Sequence, residues 1–154
     1  MIRSTADRRL LDALQVDATR SQVELAEIAG MSRTSCWRRI RDFEKAGLIE
    51  RQVAIIDPRQ VGLQLQVLLS VAMTEHTDEN RHDFENHVQT LREVTECYSV
   101  SGERDHVLNV LVKDMDAYNQ FLNSQILKHP TVRSASSTFV LRRVKYTTQM
   151  HLAS

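Results

Sequence analysis

"SQVELAEIAGMSRTSCWRRIRDFEKAG", residues 21 to 47, holds two helix signatures separated by a short turn. Ser21 and Glu24 form the S-x-x-E arrangement that satisfies two free backbone donors at a helix start, and Gly30 suits the left-handed end of that helix. Ser32 then caps a further helix running to Ala46, with Gly47 placed to terminate it. The intervening "GMS" has the length and chemistry of the turn in a helix-turn-helix. Upstream, "TADRRLLDALQVD" (5 to 17) sets Leu10, Leu11 and Leu14 on one face behind a Ser4 or Thr5 cap, which predicts a first amphipathic helix. Three short helices joined by tight turns make a small helical module.

Projected at about 100° per residue, the third helix gathers Cys36, Ile40 and Phe43 on one side, the face it buries. Thr34, Arg38, Arg41 and Lys45 fall opposite, with Ser35 and Trp37 at the edges. Between residues 33 and 45 five basic side chains, Arg39 among them, face two acidic ones, a local balance of +3. A helix entering the major groove needs small polar residues near its N-terminus to approach base edges and longer cations beyond to meet phosphates. The candidate DNA contacts are therefore Ser32, Arg33, Thr34, Ser35, Arg38, Arg41 and Lys45. Arg38 is long enough to fork onto a guanine edge or to hold a phosphate. Trp37 reads as a packing residue at the flank.

The rest of the chain sets bounds on this reading. Its 154 residues allow one domain or two small ones. Lys plus Arg and Asp plus Glu number 20 each, so any basic surface is local. The N-terminus lacks the apolar core of a secretory signal, and no apolar run approaches the ~18 residues of a membrane span, which predicts a soluble cytoplasmic protein. Cys36 and Cys97 form no CxxC pair, which argues against a disulfide framework or zinc cage and marks each as a small buried apolar residue.

After Gly47 the period changes. "LIERQVAII" (48 to 56) is strand-like, and Asp57, Pro58 and Gly62 punctuate the chain. "QLQVLLSVAMTE" (64 to 75) alternates as a half-buried strand does. A helix over 78 to 92, with Phe84, Val88 and Leu91 in a stripe, leads to strands "EVTECYSVSG" (93 to 102) and "HVLNVLVKD" (106 to 114), joined by "GERD". "MDAYNQFLNSQILKH" (115 to 129) is a helix stopped by Pro130, and "VRSASSTFVLRRVKYT" (132 to 147) is the closing strand. The order β-α-β-β-α-β is the ferredoxin-like arrangement, with both helices on one face of an antiparallel sheet and the other face open to a second subunit. The expected class is α+β, with a helix-turn-helix domain at 1–50, a strand and linker at 51–63, and the sheet domain at 64–154.

"LAEIAGMSRTSCWRRIRDFEKAGLI" (25 to 49) resembles the helix-turn-helix of the Lrp/AsnC, or feast/famine, transcription regulators, which read L-A-x-x-x-G-x-S and then R-[IVL]-x-x-L-E-x-x-G-x-I. Leu25, Ala26, Gly30, Ser32, Arg39, Ile40, Glu44, Gly47 and Ile49 match, and Phe43 stands where leucine is usual. The resemblance continues to "FVLRRVKYTT" and so covers the whole chain. It implies a winged helix-turn-helix that binds double-stranded DNA as a dimer on a pseudo-palindromic operator. It also implies that the C-terminal domain, the RAM domain of this family, dimerises through its sheet, assembles to an octamer or similar ring, and senses a small effector, usually an amino acid.

In the family the effector lies between RAM domains, at a turn that reads G-[DE]-x-D-[YFHL] and at the facing part of the last strand. Here the turn is Gly102, Glu103, Arg104, Asp105, His106. Glycine lets backbone donors approach a carboxylate and aspartate accepts from an ammonium group, so the chemistry suits an amino acid. Gly102, Glu103 and Asp105 are the effector candidates, with Ser136, Thr138 and Val140 from the last strand. A tight hairpin ordered by Asp105 selects the same residue types. His106 replaces the usual tyrosine and reads as a surface hairpin histidine. The strings "CWRR" and "KYTT" resemble branches that sense sulfur-containing or branched-chain amino acids.

No metal, cofactor or catalytic residue is expected. His82 and His87 lie about 140° apart around a helix, and no G-x-S-x-G, phosphate-binding glycine loop or H-E-x-x-H occurs. The architecture also resembles that of the sirohaem decarboxylases, the enzyme alternative to a regulator.

Overall fold

The computed structural model describes residues 4–152. Residues 1–3 and 153–154, the outer ends of the two domain ranges expected above, lie outside the described residues. Two units separate: one takes the described residues up to Ile55 together with those from Val144 onward, the other is Ile56–Arg143.

The first unit is built on α1 (Thr5–Val16), α2 (Gln22–Ala29) and α3 (Arg33–Lys45). Each begins at a serine that accepts the backbone N–H three residues on: Ser4 from Asp7, Ser21 from Glu24, Ser32 from Ser35. Glu24 returns the bond to the Ser21 backbone at 2.8 Å, completing the capping box. Gly30 closes α2 at φ +69°, a conformation that a β-carbon would strain. Leu10, Leu11, Leu25, Ala26, Ala29, Cys36 and Phe43 fuse into one core. Leu152 packs against that core, and Gln15 pairs with both backbone groups of Met150. No local pattern announces this return of the C-terminal segment.

In the second unit β1 (Leu65–Met73), β2 (Val94–Ser99), β3 (His106–Val112) and β4 (Val132–Phe139) form an antiparallel sheet in the order β2-β3-β1-β4. The helices α4 (Asp78–Gln89) and α5 (Met115–Phe121) supply Phe84, Val88, Tyr118 and Phe121 to a core shared with Val67, Leu69, Val71, Leu108 and Val110. Alternation turns Gln66, Leu68, Ser70 and Asn109 to the other face, where Leu68 and Tyr98 are exposed.

Four expectations change. The strand-like 48 to 56 forms no ladder among the described residues, and its Val53, Ile55 and Ile56 stay exposed. Alternation alone makes no strand; a partner must supply the facing hydrogen bonds. The closing strand stops at Phe139, and 140–148 adopts no regular structure. The helix of 115 to 129 widens after Phe121 into a π turn at Leu122–Ile126. Cys97 is half-buried at the sheet edge, whereas Cys36 is fully buried; burial raises both thiols, with the Glu85 charge adding to the effect at Cys97.

His129 joins α4 to the end of the π turn. Its ring stands edge-on to Phe84 at 5.5 Å and 4.8 Å from the His87 ring, and its Nδ1 lies 2.8 Å from Thr131 Oγ1. Burial, and then the neighbouring His87, push its pKa below the ordinary 6.5, against a smaller opposing pull from Asp83. The unfolded chain therefore takes up this proton more readily. Its neutral form contributes stability above about pH 6.5 that is lost as the pH falls through the lower folded value. Urea unfolding at pH 7.5 and 5.5 should show that loss in the wild type and a flatter dependence in His129→Gln; equal slopes would refute the assignment.

Candidate nucleic-acid interface and effector site

Arg39, on the side of α3 away from the basic face, is engaged with α1. Its Nε and Nη2 donate to the two carboxylate oxygens of Asp7, each at 2.6 Å, and its guanidinium sits 4.7 Å from the Phe43 ring centroid. The side chains are 18% and 5% exposed, so the pair belongs to the α1–α3 contact. Its bonds to Asp7 raise the Arg39 pKa further, which keeps the guanidinium charged.

The remaining candidates stay on the surface. Arg33, Thr34, Arg38, Arg41 and Lys45 are exposed, and Ser35 is half-buried. Ser32 and Ser35 already use their hydroxyls on each other at 2.9 Å while Ser32 caps the helix, so both stand at the N-terminal edge with Thr34. Arg41 lies over the Trp37 ring, 5.7 Å from its centroid, and reaches Glu44 at 3.3 Å. Arg38 and Lys45 make no ion pair among the described residues. Trp37 does not pack as expected: it is 48% exposed and lies outside the helical core. Its 100° step from Cys36 carries it off the buried face, a signal that was present in the helical projection.

At the other candidate site, the hairpin from β2 to β3 is closed by Val100 N–H donating to the Asp105 carbonyl at 2.9 Å. Gly102 sits at φ +120° in open space, so its backbone conformation accounts for the glycine. Asp105 turns inward. Its Oδ2 accepts the Met73 N–H at 2.8 Å, and its Oδ1 lies 2.8 Å from His76 Nδ1. Burial pulls its pKa upward, but the Met73 bond and His76 outweigh that and hold it below the ordinary 3.8. Arg104 donates to Ser134 Oγ at 3.2 Å, tying the turn to β4.

His106 is not a surface residue. It is 1% exposed, its ring is 5.1 Å from Phe84, and its Nε2 is 3.3 Å from Glu85 Oε1. Period 2 places it on the inner face of β3 with Leu108, which is why it is buried beside a polar turn. His76, Arg81, Asp105 and His106 help line a cavity of about 80 Å³.

A single chain does not gather all six effector candidates. Gly102, Glu103 and Asp105 stand at the Met73 end of β1. Ser136 and Thr138, opposite Ser70 and Leu68, lie along the outer face, and the Val140 N–H donates to Gln66 O near the other end. From Met73 to Gln66 the strand runs roughly 23 Å. Val140 lines a different cleft of about 220 Å³ with Asp57, Arg59 and Arg142.

Among the described residues no group of three or more His, Cys, Asp or Glu is placed to hold a metal ion, and no helix is long and apolar enough to cross a membrane.

Comparison with known proteins gives a consistent picture. Residues 66–150 match the model of the Lrp/AsnC ligand binding domain, and residues 3–50 match a winged helix-turn-helix DNA-binding model. The chain is 33% identical over 144 residues to the DNA-binding transcriptional activator DecR of Escherichia coli K12, covering 94% of this chain and 95% of that protein. It is also 33% identical to the leucine-responsive regulatory protein of the same organism, over 94% and 88% of the two chains. The crystal structure of a Neisseria meningitidis transcriptional regulator in complex with L-Met superposes with a TM-score of 0.92 at 32% identity, over 97% of this chain and 96% of that one.

Proposed function

The chain belongs to the Lrp/AsnC family, and from that premise we propose that it is a DNA-binding transcriptional regulator, not an enzyme, whose hold on its operator responds to an amino acid. The observation that carries this reading is the exposed stripe of α3, where Arg38, Arg41 and Lys45 follow Thr34 on a helix anchored from behind by Asp7 and Arg39. Relatives that are regulators favour this over the decarboxylase reading. The cytoplasm is the compartment that such work requires.

Ser32, Arg33, Thr34 and Ser35 approach the duplex with the N-terminus of α3, and Arg38, Arg41 and Lys45 meet base edges and phosphates beyond it. A homodimer sets two such helices on half-sites about 34 to 36 Å apart, or a multiple of that, so the operator is pseudo-palindromic. The uncovered sheet face with Leu68 and Tyr98 suits the dimer contact, and further assembly leads to an octamer or similar ring. The six effector candidates lie apart in one chain, which suits a site completed between copies: Gly102, Glu103 and Asp105 from one, Ser136, Thr138 and Val140 from another. The Neisseria relative holds L-Met, a ligand with the carboxylate and ammonium that these groups would recognise.

The full chain screened against the twenty amino acids should show one raising the melting temperature. At a hundredfold excess over its dissociation constant a ligand adds about 2.7 kcal/mol, roughly 5–10 °C for a chain of this size. Asp105→Asn, which keeps an oxygen for the Met73 N–H, should retain DNA binding and lose the response to that amino acid. A normal response in the variant refutes the role given to Asp105, and no response to any of the twenty refutes the effector class.

A further inference from the structure

Trp37 is a large apolar side chain left 48% exposed on the most charged helix of the molecule, where nothing in the helical core requires it. Its position on that helix is informative. Thr34, Trp37, Arg38 and Arg41 follow the spacing i, i+3, i+4, i+7, which on an α-helix is one continuous stripe. A helix laid in the major groove turns such a stripe toward the base edges. All four residues are exposed and none is acidic. Trp37 therefore stands inside the stripe, one turn in from the N-terminal end that enters deepest. The Arg41 guanidinium over the ring, 5.7 Å from its centroid, covers one side and limits how the indole can turn. Glu44, 3.3 Å from Arg41, holds that cation in turn.

We propose that Trp37 is a specificity-determining residue that reads thymine in the major groove, its indole closing over the C5-methyl group at one position of each half-site. The proposal rests on the DNA-binding reading given above. Its chemistry is that of an apolar surface meeting the one apolar group that a base pair shows in that groove. An indole has no acceptor and a single N–H donor, so it cannot read a purine edge by paired hydrogen bonds, as the arginine beside it can. Trp37 and Arg38 thus divide the work, one selecting thymine by its methyl and the other remaining free for a guanine edge or a phosphate. A stacked cation at an exposed site is a weak interaction. Propping Arg41 is therefore a poor account of so large a residue.

The full-length protein first selects its own sequence from a pool of randomised duplexes. Each thymine of the selected duplex is then replaced singly by deoxyuridine, which removes only the methyl. Wild type should lose about fourfold in affinity at one thymine per half-site, and about fifteenfold when both half-sites are changed, as expected for one methyl group returned to water at each. Trp37→Ala should bind the thymine and uracil duplexes equally well, and Trp37→Phe should keep part of the difference. Because Trp37 is the only tryptophan in the chain, its emission should also change when the selected duplex is added. Wild-type affinity indifferent to every replacement, or a Trp37→Ala variant as sensitive as wild type, overturns the proposal. It is equally overturned if Trp37→Ala weakens thymine and uracil duplexes alike with a smaller salt dependence, the mark of a ring that only props Arg41. Failure to enrich any sequence would instead overturn the DNA-binding reading on which the proposal rests.

Discussion

Replacing Arg38 and Arg41 together by alanine is expected to reduce affinity for the operator by about a thousandfold while leaving the chain folded. A charged side chain that meets a base edge or phosphate contributes on the order of 1–3 kcal/mol. In the proposed dimer each residue is presented twice, so four such interactions at the low end give roughly 4 kcal/mol, or three decades. Neither side chain enters the core, so unfolding should shift by no more than ~0.5 kcal/mol. The salt dependence separates the two roles. Removing one cation from a phosphate should flatten the plot of log affinity against log salt by about 0.9, whereas removing one from a base edge leaves the slope alone and relaxes sequence preference. Equal binding by a folded double variant would remove α3 as the reading element.

Asp7→Ala should be among the more damaging single changes in the helical unit, at about 2–4 kcal/mol in urea unfolding, because the mostly buried Arg39 guanidinium loses both short bonds and is left with the more distant Asp42 carboxylate at 3.9 Å. The loss comes more from a partly buried ion left with weaker compensation than from the pair's own attraction. Asp7→Leu combined with Arg39→Met should therefore recover most of the stability, and the double-mutant cycle should give a large coupling energy. DNA affinity in the rescued variant tests what the pair is for. Arg39 faces α1 and not the exposed stripe, so near-normal binding is expected once the helices are again packed. Two additive losses, with no rescue, would show that the Asp7–Arg39 pair does not anchor α3 to α1.

Much of the fold was legible because its signals are local. Ser4, Ser21 and Ser32 begin helices since a side-chain oxygen three residues from a free N–H is all the bond requires. Gly30 ends α2 since glycine holds a φ of +69° at no steric cost, whereas most residue types are strained there. The strands of the second unit were readable from period 2, and their alternation with two helices along the chain gave the β-α-β-β-α-β order. The division of α3 into a face of Cys36, Ile40 and Phe43 and a face of Thr34, Arg38, Arg41 and Lys45 needed only the helical angle.

What escaped the sequence depends on partners distant along the chain. The helical angle sets Arg39 off the exposed stripe, but nothing local names its partner until Asp7, 32 residues earlier, is brought against it. His106 looks like a turn residue until β3 pairs with β1 and turns it inward under Phe84. Residues 48 to 56 have the alternation of a strand without the ladder, because period measures which side a residue would face and not whether a second backbone is there. The sequence by itself therefore determined the three helices of the first unit with their caps, and the exposed stripe of the third, all set by bonds within a few residues. The tertiary structure alone decided which partner Arg39 takes, where the Asp105 carboxylate is already engaged, and that the six effector candidates lie apart within one chain, since each depends on a contact that exists only after distant segments meet.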